Sequence, residues 1–271
     1  MVENKVSAAS NPNLVNSTVE GILAEPEKIV APASIESPSN VLVNLPAGFV
    51  TPDGEVIKTA EVRELNGKDE EAIARASGWF RAFGTILSRA VVKLGDTKIE
   101  DALMDRLILG DRDALLLGIY KATFGSTTIL RSYCSGCDDT KDVEVDVDRD
   151  IPVTVLVDPL LDRNFVVKTG KHEYVVTLPT GIVQREIGNN SDRTTAELTT
   201  LMLEHCVLEI DGSPVLGKAQ VQAIGVADRR ELGEAIAKRT PGPQFDTTTI
   251  DCPDCGGKVA VPINLGTLFQ F

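Results

Sequence analysis

Histidine and aromatic residues are scarce in this chain. Among 271 residues there are two histidines, and aromatic side chains make up 4% of the sequence. The His-x-Glu pair that a catalytic zinc of the deaminase type needs does not occur. A glycine-rich phosphate loop and a nucleophile elbow are also missing from the sequence. The sequence therefore predicts a protein without catalytic activity.

Long apolar runs and an excess of basic residues are missing as well. No stretch of about 18 apolar residues occurs, so no transmembrane helix is predicted. The chain has 27 Lys and Arg against 40 Asp and Glu, a net charge of -13. Because phosphate backbones are bound by clustered Lys and Arg, we expect no nucleic-acid partner. No secretory signal is recognised, and we therefore expect reduced cysteines.

Four of the five cysteines form two Cys-x-x-Cys motifs, each followed by a strand-like run. Four thiolates from two such motifs are the ligand set of a closed structural zinc site. The sequence predicts one structural zinc bound by Cys134, Cys137, Cys252 and Cys255. The alternatives are disulfides, unrelated thiols or a redox pair, although a redox pair normally sits between a strand and a helix.

Two further residues could approach a metal. Cys206 is the odd thiol, and it follows His205 in an apolar stretch. We expect Cys206 to pack in the core, since free cysteine behaves as a small apolar residue. His205 is an alternative ligand that could replace one cysteine.

The two motifs are far apart, since Cys134 and Cys252 are separated by 118 residues. Other landmarks recur at a similar offset. Asp111-Arg112 matches Asp228-Arg229, and residues 90–96 match 206–212. A near-constant offset favours an internal duplication. The alternative is that two helix-plus-ribbon segments resemble each other because their parts are similar.

The duplication predicts how the fold is divided. The fold class is α+β, with two similar lobes that each contain a β-hairpin, helices and half of a zinc ribbon. The two lobes would share the four-cysteine site, so that the metal clamps one to the other. The predicted units are a flexible arm over 1–38, a first lobe over 39–150 and a second lobe over 151–271. Asp111 and Asp228 are predicted to be helix N-caps.

The two ends of the chain are candidate contact segments. Residues 1–38 are rich in Asn, Pro, Ser and Glu. That composition is typical of a disordered tail, or of an arm that becomes ordered on a neighbouring subunit. The apolar stretch 265–271 is expected to dock in its own fold or on a partner.

The order of motifs between residues 40 and 150 carries a family resemblance. Leu45-Pro46-Ala47-Gly48 comes first, and Val62–Glu71 precedes a helix. Asp111-Arg112 then opens an apolar helix, and a Cys-x-x-Cys motif leads to an acidic run ending near Asp146. This order resembles the zinc-ribbon-bearing baseplate and tail assembly proteins of contractile-tailed, T-even-type phages. The family usually has an aromatic residue after the opening glycine, where Phe49 stands. The second lobe departs from the single-lobe pattern.

The resemblance implies a non-catalytic structural component of the tail or baseplate of a phage, or of a phage-like contractile particle. Such a protein mediates protein–protein assembly in the virion and is present in the host cytoplasm during assembly. Its partners would be other tail or baseplate proteins, reached through the N-terminal arm and the C-terminal tail. The alternative is a cytoplasmic tail-assembly chaperone or adaptor that is absent from the finished particle. A third is a hydrolase or transferase whose site the sequence does not reveal.

Limited proteolysis of the isolated protein is expected to remove residues 1–38 first, because their composition disfavours a packed core. Mass spectrometry of the fragments over time would measure this. A trypsin digest can cut the arm at Lys5 and Lys28, and a glutamate-specific protease can cut it at Glu20. Each serves as the control for the other. Resistance of the arm to both proteases would contradict the prediction.

Overall fold

The computed structural model describes residues 40–98, 101–190 and 192–270. The predicted arm and Phe271 lie outside these ranges. The strands are β1 (Asn40–Val50), β2 (Val56–Arg63), β3 (Val91–Leu94), β4 (Thr97–Lys98), β5 (Thr127–Cys134), β6 (Asp139–Asp146), β7 (Val153–Thr154), β8 (Asn164–Lys168), β9 (Glu173–Thr177), β10 (Val207–Ile210), β11 (Ser213–Pro214), β12 (Gly242–Pro243), β13 (Thr247–Asp251) and β14 (Lys258–Pro262). The helices are α1 (Gly67–Ala74), α2 (Trp79–Ala90), α3 (Asp101–Arg106), α4 (Leu109–Phe124), α5 (Val147–Asp150), α6 (Gly181–Asn189), α7 (Thr195–Cys206), α8 (Lys218–Ala223), α9 (Val226–Arg239) and α10 (Leu265–Phe269). Of these helices, none is both long enough and apolar enough to cross a bilayer.

The fold is α+β, as predicted, and its two halves have the same order of elements. The first half, residues 40–150, and the second half, residues 151–270, share ten elements in the same order: strand, strand, helix, helix, strand, strand, helix, helix, strand, strand. Besides these, the first half ends with the short helix α5, and the second half has β7 before the series, β12 before its last pair of strands and α10 after it. One four-stranded antiparallel sheet has the order β1-β2-β3-β4, and the other has the order β11-β10-β9-β8. The last pair of strands in each half forms a separate two-stranded hairpin.

The two four-stranded sheets also share a local irregularity. In each, a twelve-residue helix, α2 or α7, runs directly into a strand without a loop. The second residue of that strand, Val92 or Leu208, is left out of the ladder as a β-bulge. A bulge adds one residue to one strand and bends it locally. The same device therefore turns the chain from helix to sheet in both halves.

The Asp-Arg pairs lie inside the helices α4 and α9, so the prediction that Asp111 and Asp228 are N-caps is wrong. Each aspartate is the third residue of its helix, and the N-caps are Ile108 and Gly225. The Asp111 carboxylate accepts the backbone N–H of Ala47 at 2.7 Å. That of Asp228 accepts the hydroxyl of Tyr174, also at 2.7 Å. Both carboxylates are buried and hold their helix against the sheet instead of capping it.

The two arginines also have matching contacts. Arg112 donates from Nη1 to the carbonyl of Met104 at 2.7 Å, and Arg229 donates from Nη1 to the carbonyl of Val221 at 3.2 Å. Each acceptor lies eight residues earlier, in the preceding short helix α3 or α8. Arg112 also donates from Nε to Oε1 of Gln184 at 2.8 Å, which connects the first half to α6 of the second.

Three clusters of buried apolar side chains fill the described structure. The first lies between the first sheet and α2 and α4, and the second lies between the second sheet and α7–α9. The third lies between the two ribbon hairpins, β5–β6 and β13–β14, and α4. Ala47 and Ile108 of the first half pack in the second cluster. Residues of the first half thus contribute to the core of the second half. The predicted lobe boundary between residues 150 and 151 stays a prediction.

The pH dependence of stability is expected to change in Asp111→Asn. Burial raises the pKa of Asp111 to about 6. An unfolded aspartate titrates near 4, so the folded state binds the proton more tightly, and stability falls as pH rises from about 4 to about 6. The substitution removes this ionisation but keeps an acceptor for Ala47. Relative to wild type, its free energy of unfolding should rise by about 2 kcal/mol between pH 4.5 and 7.5.

Urea unfolding at the two pH values measures this difference. Asp53→Asn, in an exposed turn, is the control for the loss of one negative charge. An equal pH response in wild type and Asp111→Asn would contradict the assignment of a buried, reluctantly ionised Asp111.

Candidate metal centre

Each Cys-x-x-Cys motif forms the turn of a two-stranded hairpin. Cys134 is the last residue of β5 and pairs with Asp139 of β6. Cys252 directly follows β13, and its backbone N–H donates to the carbonyl of Gly257 at 2.7 Å. In both hairpins, the first cysteine thus faces the residue five positions later. The same turn is built twice.

Two features of the turns accommodate the sulfur atoms: left-handed backbone at one residue of each turn, and glycines whose missing Cβ leaves space. The first turn has Asp138 at φ +54°, and the second has Gly256 at φ +68°. This left-handed conformation favours glycine. Gly136 and Gly257 have a different role, because a Cβ on either would lie 3.1 or 3.2 Å from Sγ of Cys255.

The fold brings all four sulfur atoms together. Their Sγ atoms lie within 4.8 Å of one another. Sγ of Cys134 is 3.7 Å from that of Cys255, and Sγ of Cys137 is 3.8 Å from that of Cys252. A tetrahedral site with metal–sulfur bonds of about 2.3 Å requires sulfurs roughly 3.8 Å apart. The four residues therefore fit a four-coordinate, all-thiolate metal site.

Local hydrogen bonds affect how readily the thiols ionise. Backbone N–H groups of Cys255 and Asp254 lower the pKa of Cys252 to about 7. A hydrogen bond with Cys255 raises the pKa of Cys137 to about 12. Neighbouring thiolates repel one another, so a cation among the four sulfurs would favour their joint ionisation.

Apolar side chains cover one side of the cysteine cluster, and salt bridges of one lysine connect the two hairpins on the other side. Cys134 and Cys252 are buried in the third apolar cluster, while Cys255 is exposed. Nζ of Lys141 lies 3.0 Å from Asp139 and 2.8 Å from Asp254. Lys141 thus joins the first hairpin to the turn of the second. Sequence reasoning missed this bridge, since its only signal was an acidic residue inside the second motif.

The other candidate residues lie elsewhere in the fold. Nε2 of His205 is 2.9 Å from Glu186, so His205 is not a fifth candidate ligand. Cys206 is buried in the second apolar cluster, as expected for a packing residue. His172 contacts Asp211 at the exposed end of the second sheet, with Nδ1 at 2.7 Å. Only the four predicted cysteines come together among the described residues.

Cys134→Ser and Cys252→Ser should do similar damage, because each leaves one shared site with three thiolates. We expect either substitution to lower the free energy of unfolding by several kcal/mol, on the order of a lost structural zinc contact. The double variant should be little worse than either single variant, since members of one site are not additive. Thermal and urea unfolding of all four proteins completes the cycle.

Metal content provides the control for this cycle. Elemental analysis should give about one zinc per wild-type chain and less in each variant. Cys206→Ser, outside the cluster, should keep the wild-type metal content. Losses that add within about 0.5 kcal/mol would contradict a shared site.

The chain has also been compared with known proteins. No family model, curated protein or solved structure matches it. The role of the four-cysteine cluster therefore rests on its own geometry, with four sulfurs brought together by two hairpins that are distant in sequence.

Proposed function

We propose that Cys134, Cys137, Cys252 and Cys255 bind one structural zinc ion. Sulfur–sulfur distances of 3.7 and 3.8 Å support this, since they match tetrahedral coordination. Thiolates are soft ligands that suit zinc, and four of them leave no position open for a substrate. The bound ion would hold the two ribbon hairpins together. This role is structural and agrees with the proposal that the protein is not an enzyme.

We also propose that the two halves arose by internal duplication. The support is that equivalent contacts recur at separations that change only slightly along the chain. The carbonyl of Thr59 accepts the N–H of Gly95 at 3.0 Å, and that of Glu173 accepts the N–H of Asp211 at 2.8 Å. The matched positions are therefore Thr59 with Glu173, Val92 with Leu208, Arg112 with Arg229, and Cys134 with Cys252. Their separations rise from 114 to 118 residues, as small insertions in connecting loops would produce.

The function we propose is a non-catalytic structural role in the tail or baseplate of a phage or phage-like contractile particle. The order of sequence motifs supports the phage setting. A surface feature supports assembly with other proteins. At the start of the second half, one segment exposes large apolar side chains, namely Val153, Val155, Val157, Leu160 and Leu161. Contiguous exposed apolar surface of this kind is typical of contact sites for other proteins.

Backbone contacts hold this segment in place. Strand β7 pairs with β12, and the N–H of Leu156 donates to the carbonyl of Pro46 at 2.9 Å. Beyond it, Oδ1 of Asp158 accepts backbone N–H groups of Leu160 and Leu161 at 2.8 and 3.0 Å. The side chain of Val157, between these anchors, is 93% exposed. An anchored apolar segment supports a docking role, and it is the observation that carries the proposal of assembly.

Purified particles are expected to contain the protein, which quantitative mass spectrometry would measure. Val157→Asp and Leu161→Asp should lower its incorporation on the order of tenfold, because a charge at a buried contact is costly. Thermal stability and zinc content should stay unchanged. Val226→Asp and Leu216→Asp are matched controls, since both positions are exposed apolar residues outside the segment.

Absence of the protein from finished particles would favour the assembly chaperone or adaptor over a structural component. Equal incorporation of all four variants would contradict the docking role of the segment 153–161.

A further inference from the structure

Four arginines line a cleft of about 630 Å³ that lies between the halves. Its walls come from α1, α2, α3, α4 and α6, and its arginines are Arg75, Arg81, Arg112 and Arg185. Helices α2 and α6 pack closely at one edge, where a Cβ on Gly188 would lie 2.5 Å from Phe80. A concentration of positive charge here stands out in a chain whose net charge is -13.

Acidic groups balance only part of this charge. Arg75 pairs with Glu71 at 3.4 Å, and Arg185 pairs with Asp105. Within the described residues, neither Arg81 nor Arg112 has a carboxylate within 4.0 Å. Arg81 donates to the hydroxyl of Ser77 at 3.0 Å. Two guanidinium groups of the cleft thus lack a direct counter-charge.

Of these two arginines, Arg112 has the higher free-energy cost of burying its positive charge. Its side chain is buried, and the residue is only 6% exposed. Burial lowers the pKa of Arg112 to about 10, and the charge of Asp113, its neighbour on the helix, acts in the opposite direction. Its hydrogen bonds go to uncharged oxygens of Met104 and Gln184. Burial of a cation without a bound anion is unfavourable, so the site would gain from a negative ligand.

The second half shows how the same arginine is satisfied without a ligand. Nη2 of Arg229 donates to Oγ1 of Thr200 at 2.7 Å and to the carbonyl of Ala196 at 3.1 Å. Thr200 is the sixth residue of the twelve-residue helix α7. The sixth residue of the twelve-residue helix α2 is Gly84, which lines the cleft. A Cβ on Gly84 would meet no atom within 4 Å. The space that a threonine fills in one half is therefore open in the other.

We propose that this cleft is a binding site for a phosphate group, carried by a small molecule or free in solution. Two guanidinium groups without acidic partners complement a dianion, and arginine binds phosphate oxygens in a bidentate manner. The cleft volume lies in the range typical of small-molecule sites. The buried position of Arg112 favours a compact ligand over an extended acidic peptide. This inference does not depend on the zinc site.

Isothermal titration calorimetry of the full zinc-loaded chain with inorganic phosphate tests the proposal. Saturable binding is expected at matched ionic strength, with chloride as the reference anion. Arg81→Gln should weaken phosphate binding at least fivefold. Gly84→Thr should abolish it, because the hydroxyl would occupy the space beside Arg112 as Thr200 does beside Arg229. Arg131→Gln is the control for charge, since Arg131 is exposed on the ribbon and pairs with Asp142 at 3.1 Å.

Thermal unfolding of each variant without phosphate shows whether it is folded. If Gly84→Thr does not fold, Arg81→Gln against Arg131→Gln decides the question alone. Equal affinity for phosphate and chloride, or equal loss in both arginine variants, would overturn the proposal. A glutamate-rich peptide that binds more tightly than phosphate would also overturn it, in favour of a protein partner.

Discussion

The approach of four sulfur atoms from two distant hairpins is the constraint on which the rest of the structure depends. A two-stranded hairpin is marginal in water by itself, and each Cys-x-x-Cys motif lies at the tip of such a hairpin, β5–β6 or β13–β14. They are stable together because they share one apolar cluster with α4 and point their cysteines at one another. The bridge from Lys141 to Asp139 and Asp254 adds a second connection at the surface. With zinc in the proposed site, a single ion would lock both hairpins in one register.

Buried polar groups, in addition to apolar packing, position the helices. The chain has few aromatic residues, so its core is mainly aliphatic and offers little directional contact. Asp111 and Asp228 provide direction, because each carboxylate accepts one specific donor on a β-strand. Arg112 and Arg229 then tie each long helix to the short helix before it. The cost of burying these charges is visible at Asp111, where burial raises the pKa to about 6.

Local signals predicted which cysteines come together, while tertiary contacts decided the roles of the buried polar residues. A Cys-x-x-Cys motif with nearby glycines defines its own turn, so the four cysteines of the cluster could be predicted from their spacing. An aspartate near the start of a helix is a typical N-cap residue. The carboxylate of Asp111 instead accepts the backbone N–H of Ala47, which is 64 residues away in sequence. No signal in the sequence indicated the cleft. The open space at Gly84 is recognised only when α2 is compared with α7, where Thr200 stands at the equivalent position. Residues 1–38 lie outside the described structure, so the flexible N-terminal arm stays a prediction.

The sequence separation of the two cysteine motifs has a consequence during synthesis. A ribosome adds roughly 5 to 20 residues per second, so the 118 residues between Cys134 and Cys252 take about 6 to 24 seconds to make. Throughout that interval the first hairpin exists without the second, and its two thiols have no partners. The nascent chain is thus a dithiol open to stray metals and oxidants before it becomes a folded protein. The order of translation, in addition to the final geometry, sets when this protein is most vulnerable.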